Sequence, residues 1–339
     1  MKYHVTCNTD NNYAQHCVVM LCSLFDNNKG LDFCVHILIN DLSEENKKAI
    51  IDLSKQYGNE IIFHMVDESL LEDLQYRKHR PLTKAAYYRV LLPSILDESI
   101  ERVLYLDCDM IVLRDISDLY RIDISEYALA ATSDVTPWTS EHRLQLNLSM
   151  QDKAFCSGIM MINLKYWREH NAQNKLIEFS RTKREPVYLH DQDALNYVFR
   201  NQWFELPPKW NHTPLSVSVG AAKWFDNEEY AFNPCIMHYS GDLKPWYNVW
   251  FPEKKYYVKY ILLSGYPATI INKDIKFRIY GIIFVFRYFM SRFIYPILPE
   301  FLEILFRDTF FTIKLVLTLL INPRGLKKLI LNRWEIKHR

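Results

Sequence analysis

The segment Val103-Leu104-Tyr105-Leu106-Asp107-Cys108-Asp109-Met110-Ile111-Val112-Leu113 is apolar on both flanks and carries two carboxylates at its centre. Arg102 to Leu106 reads as a buried strand that stops abruptly in acid. In extended chain, residues at i and i+2 point to one face with Cα atoms about 6.7 Å apart. At a separation of about 5 Å and an effective dielectric of about 20, two such charges repel by roughly 3 kcal/mol. A divalent cation between them reverses that sign. The other reading has Asp107 capping the next turn while Asp109 pairs with a basic residue. Spacing alone leaves both open.

Outward from this segment, strands and helices alternate. Tyr3–Cys7 reads as a strand, and Tyr13–Phe25 has apolar residues at helical spacing (Cys17, Val18, Leu21, Leu24, Phe25). Leu31–Ile39 is a second strand. Asp41 with Glu44 has the spacing of a capping box for a helix running to Tyr57. Glu60–Val66 is a third strand, and Thr83–Leu92 a helix. The order implies an α/β fold with a largely parallel, doubly wound sheet. Ligands on such sheets lie beyond the carboxyl ends of the strands, so the polar residues that follow strands are where chemistry is expected.

The first strand ends in Asn8-Thr9-Asp10-Asn11-Asn12-Tyr13. It contains neither GxGxxG nor GxxxxGK[ST], so no glycine-rich cradle holds a phosphate here. Further on, Phe155-Cys156-Ser157-Gly158-Ile159-Met160-Met161-Ile162-Asn163-Leu164 reads as an apolar strand followed by a helix. His190-Asp191-Gln192-Asp193 reads as an acidic helix start, a composition that also simply complements a helix dipole. Pro234 to Trp246 places His238, Gly241 and Lys244 just after another short strand.

The composition, 49% hydrophobic and 24% charged, is globular and excludes a disordered or fibrous chain. Seven cysteines form no CxxC pair, so a zinc ribbon or a thioredoxin-type site is unsupported; they read as buried thiols of a reducing compartment. The amino-terminal residues enter a strand at once, without the apolar core of a signal peptide. No apolar run reaches the roughly 18 residues of a spanning helix. Residues 271–339 hold 13 Lys and Arg against 5 Asp and Glu, a balance of +8; the whole chain balances at +1, which leaves −7 for residues 1–270.

The ordered set Asp10-Asn11-Asn12-Tyr13-Ala14, Tyr87-Tyr88-Arg89, Tyr105-Leu106-Asp107-Cys108-Asp109, Phe155 to Leu164, Asp191-Gln192-Asp193, and His238-Tyr239-Ser240-Gly241 through Lys244-Pro245-Trp246 resembles the family 8 glycosyltransferases. The likeness is strongest to bacterial lipopolysaccharide galactosyl- and glucosyltransferases of the LgtC type, and it covers about residues 3–250. It implies a single GT-A domain, residues 1–260, with a mixed, mostly parallel nucleotide-binding sheet. It also implies retaining transfer of galactose or glucose from a UDP-sugar with Mn2+, Mg2+ being admissible. Asp107, Asp109 and His238 match the family's metal ligands. Asp10, Asn12 and Tyr13 match its uridine-binding turn, with Tyr13 stacking on uracil, and Cys108 would contact the nucleoside through its backbone. Gly241 and Lys244 match pyrophosphate contacts. Arg89, Asp134, Asp191 and Gln192 match positions around the donor sugar.

The chemistry of that set is coherent. Charge develops on the diphosphate as the glycosidic bond breaks, where a cation, Lys244 and the backbone near Gly241 would meet it. Mixed carboxylate and imidazole ligation suits manganese better than an ion that demands oxygen alone. Gln192, at the family's place beneath the anomeric carbon, is a poor nucleophile, and Asp191 is the neighbouring carboxylate. Same-face attack, with a leaving phosphate oxygen taking the acceptor's proton, is therefore the expected route. One departure stands out. The family usually has Phe-Asn-small-Gly where this chain reads Phe155-Cys156-Ser157-Gly158, and a thiol cannot supply an amide's donors and acceptor.

The tail, 271–339, mixes Phe277, Phe284, Phe286, Phe306, Phe310 and Leu315 with Arg278, Arg287, Arg307 and Lys314. Basic amphipathic helical segments of this kind lie in a membrane interface, whereas a nucleic-acid arm is less apolar. The expectation is a cytoplasmic enzyme held peripherally on the inner face of the cytoplasmic membrane, acting on a lipopolysaccharide or lipooligosaccharide acceptor. Transfer to a protein or small polyol, and a non-catalytic UDP-sugar-binding scaffold, are the alternatives.

Overall fold

The computed structural model describes residues 2–72, 74, 84–134, 140–149, 151–182, 189, 191–213, 233–241, 244–247, 251 and 253–269. The tail expected at 271–339 lies outside them. Among the described residues no helix is long and apolar enough to cross a membrane.

The first half is the alternation expected: β1 (Lys2–Asn8), α1 (Ala14–Asp26), β2 (Asp32–Ile39), α2 (Glu44–Gln56), β3 (Glu60–Met65), a 3-10 segment Lys84–Leu91, α3 (Leu92–Ile95), β4 (Arg102–Leu106) and β5 (Met110–Val112). Then come α4 (Ser117–Arg121), β6 (Leu129–Ala131), α5 (Ser140–Gln145), β7 (Ile159–Asn163), α6 (Leu164–Glu169), α7 (Ala172–Thr182), α8 (Asp191–Val198), β8 (Trp203–Glu205), β9 (Ile236–His238) and α9 (Lys254–Ser264). Seven strands form one sheet in the order β3-β2-β1-β4-β7-β6-β8, and β5 with β9 forms a separate ribbon. β1 is parallel to both β2 and β4, and β2 to β3. β7 runs antiparallel between β4 and β6, while β6 and β8 are parallel. The sheet is therefore mixed and mostly parallel.

β4 is buried on both faces, as a central strand with cover on each side must be. Leu104 and Leu106 join an apolar layer with α1, the β5–β9 ribbon and α9. Val103 and Tyr105 join the opposite layer, with the 3-10 segment, α6, α7 and α8. α1 is buried along almost its whole length because α9 covers its outer side: the Tyr257 hydroxyl meets Gln15 Nε2 at 2.9 Å and His16 Nδ1 at 2.7 Å. These contacts run past residue 260, since Thr269 N donates to Gln15 Oε1 at 2.7 Å.

Three local expectations are corrected. The cap of α2 is Ser43, whose hydroxyl accepts from Asn46 N, not the Asp41–Glu44 pair; Asn11 draws this loop in, taking Ser43 N at 2.8 Å and contacting Asp41. The helix expected over 83–92 is a 3-10 coil, and α-helical geometry begins only at Leu92, with Pro93 in its first turn. The strand expected from Phe155 begins at Ile159. Phe155 meets only Ser133, in an isolated antiparallel bridge, and on its other side Asn196 of α8 accepts from Phe155 N (2.8 Å) and donates to Phe155 O (2.9 Å).

Arg168 of α6 ties down the approach to β4. Its guanidinium donates to the carbonyls of Pro93, Leu96, Asp97, Glu98 and Ile100 at 2.9–3.2 Å. Arg168→Met keeps the stem and strips all five bonds. Several charge-assisted bonds are lost at a partly solvated site, so the expected loss is about 3 kcal/mol, read as a fall in the urea unfolding free energy.

Candidate active site

Asp107 stands in the turn between β4 and β5, at the carboxyl edge of the sheet. Its Oδ1 accepts from Tyr105 Oη at 2.8 Å and from Arg89 NH2 at 2.9 Å. Arg89 is buried beneath the turn, with its guanidinium carbon 4.0 Å from the Tyr105 ring centroid. It also donates to Ser157 O at 2.7 Å and Ala86 O at 3.1 Å. Its Nε lies 3.1 Å from Asp191 Oδ2, but the proton is aimed at Ala86 O, so Arg89 holds that oxygen by charge and not by a hydrogen bond. Burial pushes the Asp191 carboxyl up to about 6, against the pull of Arg89.

Asp109 lies across the same turn. Lys244 Nζ binds its Oδ2 at 2.6 Å and is itself fixed to Tyr239 O at 2.8 Å. The pairing of β5 with β9 sets Met110 opposite His238, which carries the imidazole to the two aspartates. His238 Nε2 lies 3.3 Å from Asp109 Oδ1 and 3.9 Å from Asp107 Oδ2. Its other nitrogen, Nδ1, contacts Asn211 Oδ1 at 2.9 Å, and Asn211 in turn donates to Thr132 Oγ1 at 2.8 Å. Asp109 resists its own burial because Lys244 and His238 hold it well below the usual carboxylate range. Burial opposes a charge on His238, but Asp109 outweighs it and lifts the imidazole to about 10. Asp109 Oδ1 is buried with no hydrogen bond of its own. One ligand atom from each of Asp107, Asp109 and His238 falls within 4.8 Å of the others. An orphaned carboxylate oxygen, a second carboxylate and an oriented imidazole fit a divalent cation.

Beside this group, α8 presents Gln192. Its Oε1 accepts from Ser157 N at 3.0 Å, and its Nε2 donates to Asp134 Oδ2 at 2.8 Å. Asp191 and Asp193 part company there: Asp191 turns to Arg89, while Asp193 binds His142 Nε2 at 2.8 Å and Leu189 N at 3.0 Å. Cys156 bonds Thr132 O through its backbone at 3.0 Å and sets its thiol against His238.

The first strand end arrives from the other side. Asp10 Oδ1 accepts from Tyr13 N at 2.9 Å, closing the turn in which Asn12 stands exposed. Tyr13 packs edge-on against Trp246, which stacks on His16 at 3.5 Å. Burial keeps His16 neutral, lowering it to about 3. Cys108 turns its thiol inward to Asn8 O at 3.1 Å. Gly241, after β9, has φ +83°, a conformation open to glycine.

Thus Arg89, Asp107, Asp109, Asp191, His238 and Lys244 are joined by charge in one group, with Asp134 and Gln192 beside it. The sequence reading missed Tyr105, Ser157, Asn211 and Asn8, whose Nδ2 donates to Tyr105 Oη at 3.2 Å. Tyr105 was findable, because two residues back along a strand is the same face as Asp107. Asn211 carried no such signal, lying on a segment that meets β9 only in three dimensions.

Residues 4–249 match glycosyl transferase family 8, and the chain belongs to that family. It is 35% identical over 287 residues to General stress protein A of Bacillus subtilis (strain 168), covering 80% of this chain and 97% of that protein. It is 24% identical over 270 residues to the lipopolysaccharide 1,3-galactosyltransferase of Salmonella typhimurium (strain LT2), covering 76% of this chain and 77% of that one. The fold is GT-A: the crystal structure of the galactosyltransferase LgtC with donor and acceptor sugar analogues superposes with a TM-score of 0.68 over 80% of this chain and 98% of that one, at 22% identity.

Gly158 lies against His238 and Asp107. A Cβ there would fall 2.4 Å from His238 Cε1 and 3.0 Å from both Asp107 Oδ2 and Met110 Cε. Gly158→Ala therefore has to move the imidazole. The expected cost is about 1–3 kcal/mol, read by chemical denaturation, with a displaced His238 ring in the variant's structure.

Proposed function

We propose that this family 8 glycosyltransferase moves galactose or glucose, with retention, from a UDP-sugar to a glycolipid acceptor of the lipopolysaccharide or lipooligosaccharide kind. The observation that carries the reading is the convergence of Asp107, Asp109 and His238, with Lys244 against Asp109 and Gln192 alongside. Asp107, Asp109 and His238 would hold Mn2+, or Mg2+ in its place; bound there, the ion supplies a Lewis acid for the diphosphate.

The chain's own groups have separable tasks. Tyr13, braced by Trp246, offers a ring to the uracil, with Asp10, Asn12 and the Cys108 backbone around the nucleoside. Lys244 and the Gly241 turn face the pyrophosphate. Lys244 is spent on Asp109 until a phosphate competes for it, so its charge becomes available where charge develops. Arg89 fixes Asp107 and Asp191 from beneath. Gln192 is clamped at both ends of its amide, which suits orientation of the sugar and not nucleophilic attack. Asp191 is buried against Arg89, away from the role of a free nucleophile. These facts support same-face attack, with the leaving phosphate oxygen accepting the acceptor's proton. A glycosyl adduct trapped on Asp191 would overturn that route.

UDP release measured across a panel of UDP-sugars tests the whole reading. Turnover with UDP-galactose or UDP-glucose is expected to stop with a chelator and return with Mn2+. Asp109→Asn is expected to lose at least about 100-fold in kcat, the scale of removing an electrostatic stabiliser, with folding checked by thermal melting. Metal-dependent UDP binding without turnover of any donor would favour a scaffold.

The tail, 271–339, is proposed as a separate segment that holds the enzyme on the inner face of the cytoplasmic membrane. Its balance of +8 gains about 1 kcal/mol per cation near an anionic leaflet. Deleting 271–339 is expected to move the protein into the soluble fraction while UDP-sugar hydrolysis persists; unchanged partitioning removes the membrane role.

A further inference from the structure

A cluster of nitrogen and sulfur groups lies on the sheet near the amino ends of β1, β2 and β3, outside the site above. Cys34 and His36 are two apart on β2 and so share one face, and His4 of β1 is the cross-strand partner of Cys34. Glu60 of β3 flanks Cys34 on the other side. His4 Nδ1 lies 3.0 Å from His36 Nε2, and Cys34 Sγ lies 3.6 Å from the same nitrogen. All three ligand atoms fall within 4.8 Å of one another. A tetrahedral zinc sphere with Zn–N of about 2.0–2.1 Å and Zn–S of about 2.3 Å sets N···N about 3.3 Å and N···S about 3.6 Å apart. Two of the cluster's three edges are close to those lengths as they stand, and the third is under 4.8 Å.

We propose that His4 Nδ1, Cys34 Sγ and His36 Nε2 form a second cation site, for Zn2+ or a similar borderline transition metal, that clips β1 to β2. The set is softer than the carboxylate–imidazole group at the sheet's other edge and selects a different ion. His64 is the positioning residue. Its Nε2 lies 3.0 Å from His36 Nδ1, so a proton on His36 Nδ1 leaves the Nε2 lone pair free for the ion. The electrostatics agree: burial lowers His36 to about 4 and lowers His4 as well, so both imidazoles stand neutral. Burial and Glu60 push the Cys34 thiol up to about 11, so a bound ion must displace its proton. Glu60 touches Cys34 and is the nearest candidate for a fourth ligand, though Lys2 Nζ holds it at 2.9 Å and also reaches Asp32. Lys2, Asp32 and Glu60 are all exposed, which gives an ion its way in.

The proton balance is definite. Without metal, one hydrogen bridges His4 Nδ1 and His36 Nε2. On binding, His4 carries its hydrogen on Nε2 instead, Cys34 loses one proton to solvent, and three metal–ligand bonds form without oxidation or reduction.

The test uses the full chain, reduced and stripped of metal, titrated with Co2+ and then Zn2+. One equivalent of Co2+ is expected to give a thiolate-to-cobalt charge-transfer band with tetrahedral d–d bands, both displaced by Zn2+. About one proton should be released per ion. Zn2+ at a hundredfold excess over Kd should raise Tm by about 5 °C. Cys34→Ser should abolish the charge-transfer band, and His64→Leu should weaken binding about 10–100-fold. Cys17→Ser removes a thiol from the separate buried group Cys7, Cys17 and Cys108, and should leave the band intact. A band that survives Cys34→Ser or vanishes with Cys17→Ser places the thiolate elsewhere and overturns the proposal. No band in folded protein at about 100 μM Co2+, a weak limit for a structural site, leaves the cluster a neutral imidazole ladder and overturns it equally.

Discussion

Two aspartates at one strand end repel each other, and much of the surrounding structure answers that repulsion. Asp107 is met from beneath by Arg89 and Tyr105. Asp109 is met from the far side by Lys244 and His238. Each carboxylate has its own counter-charge, and the cations arrive from different parts of the chain. Arg89 comes from the 3-10 segment, which packs under β4. His238 and Lys244 come from β9 and its following turn, brought in only because β9 pairs with β5. The ribbon is three residues deep on each strand, yet without it the turn would hold two anions and one buried arginine.

The opposed readings of the sequence motif, a cation site or a pair of ordinary ion pairs, turn out to be compatible. Lys244 satisfies Asp109 Oδ2 and Arg89 satisfies Asp107 Oδ1, while Asp109 Oδ1 keeps no hydrogen bond. The inner oxygens are spent on the protein, and the oxygens facing His238 remain for a ligand. A turn whose charge is already largely balanced stays folded without the ion and still offers it a place.

Sequence periodicity revealed the elements whose apolar pattern is local. β1, α1, β2, α2, β3 and β4 stand within a residue or two of their expected ends. Legibility failed where tertiary contacts replaced local ones. Nothing in the apolar run Phe155–Leu164 says that Phe155 is left with a single isolated bridge, to Ser133, while Asn196, some forty positions on, bonds its N–H and carbonyl on the other side. The segment 84–91 has helical periodicity, but all of Tyr87 to Leu91 is buried, and a tighter coil serves a segment enclosed on every side. In the site, the charged groups that converge were legible because their types are chemically conspicuous. Those that orient them are not conspicuous: the Asn211 amide acquires its role only from what lies opposite, and Ser157 acts mainly through its backbone carbonyl and N–H.

β1 reaches both groups of candidate ligands. Asn8 and His4 share its face, about 13 Å apart at the rise of a parallel strand. At the carboxyl end, loops diverge from the sheet, so carboxylates and cations from separate segments can be gathered around one point. Near the amino end the strands are still in register, and side chains can meet only as pleat neighbours, His4 beside Cys34 and Cys34 two residues from His36. That constraint yields a compact group, its three ligand atoms within 4.8 Å of one another, on the scale of an ion's coordination sphere. The donor types follow the same division. Oxygen dominates where, on the proposed function, a phosphate would share the cation, and nitrogen and sulfur dominate where the protein alone would surround it. Two ions of different softness therefore need not compete for one chain, and a chelation experiment that strips both will not by itself say which one turnover requires.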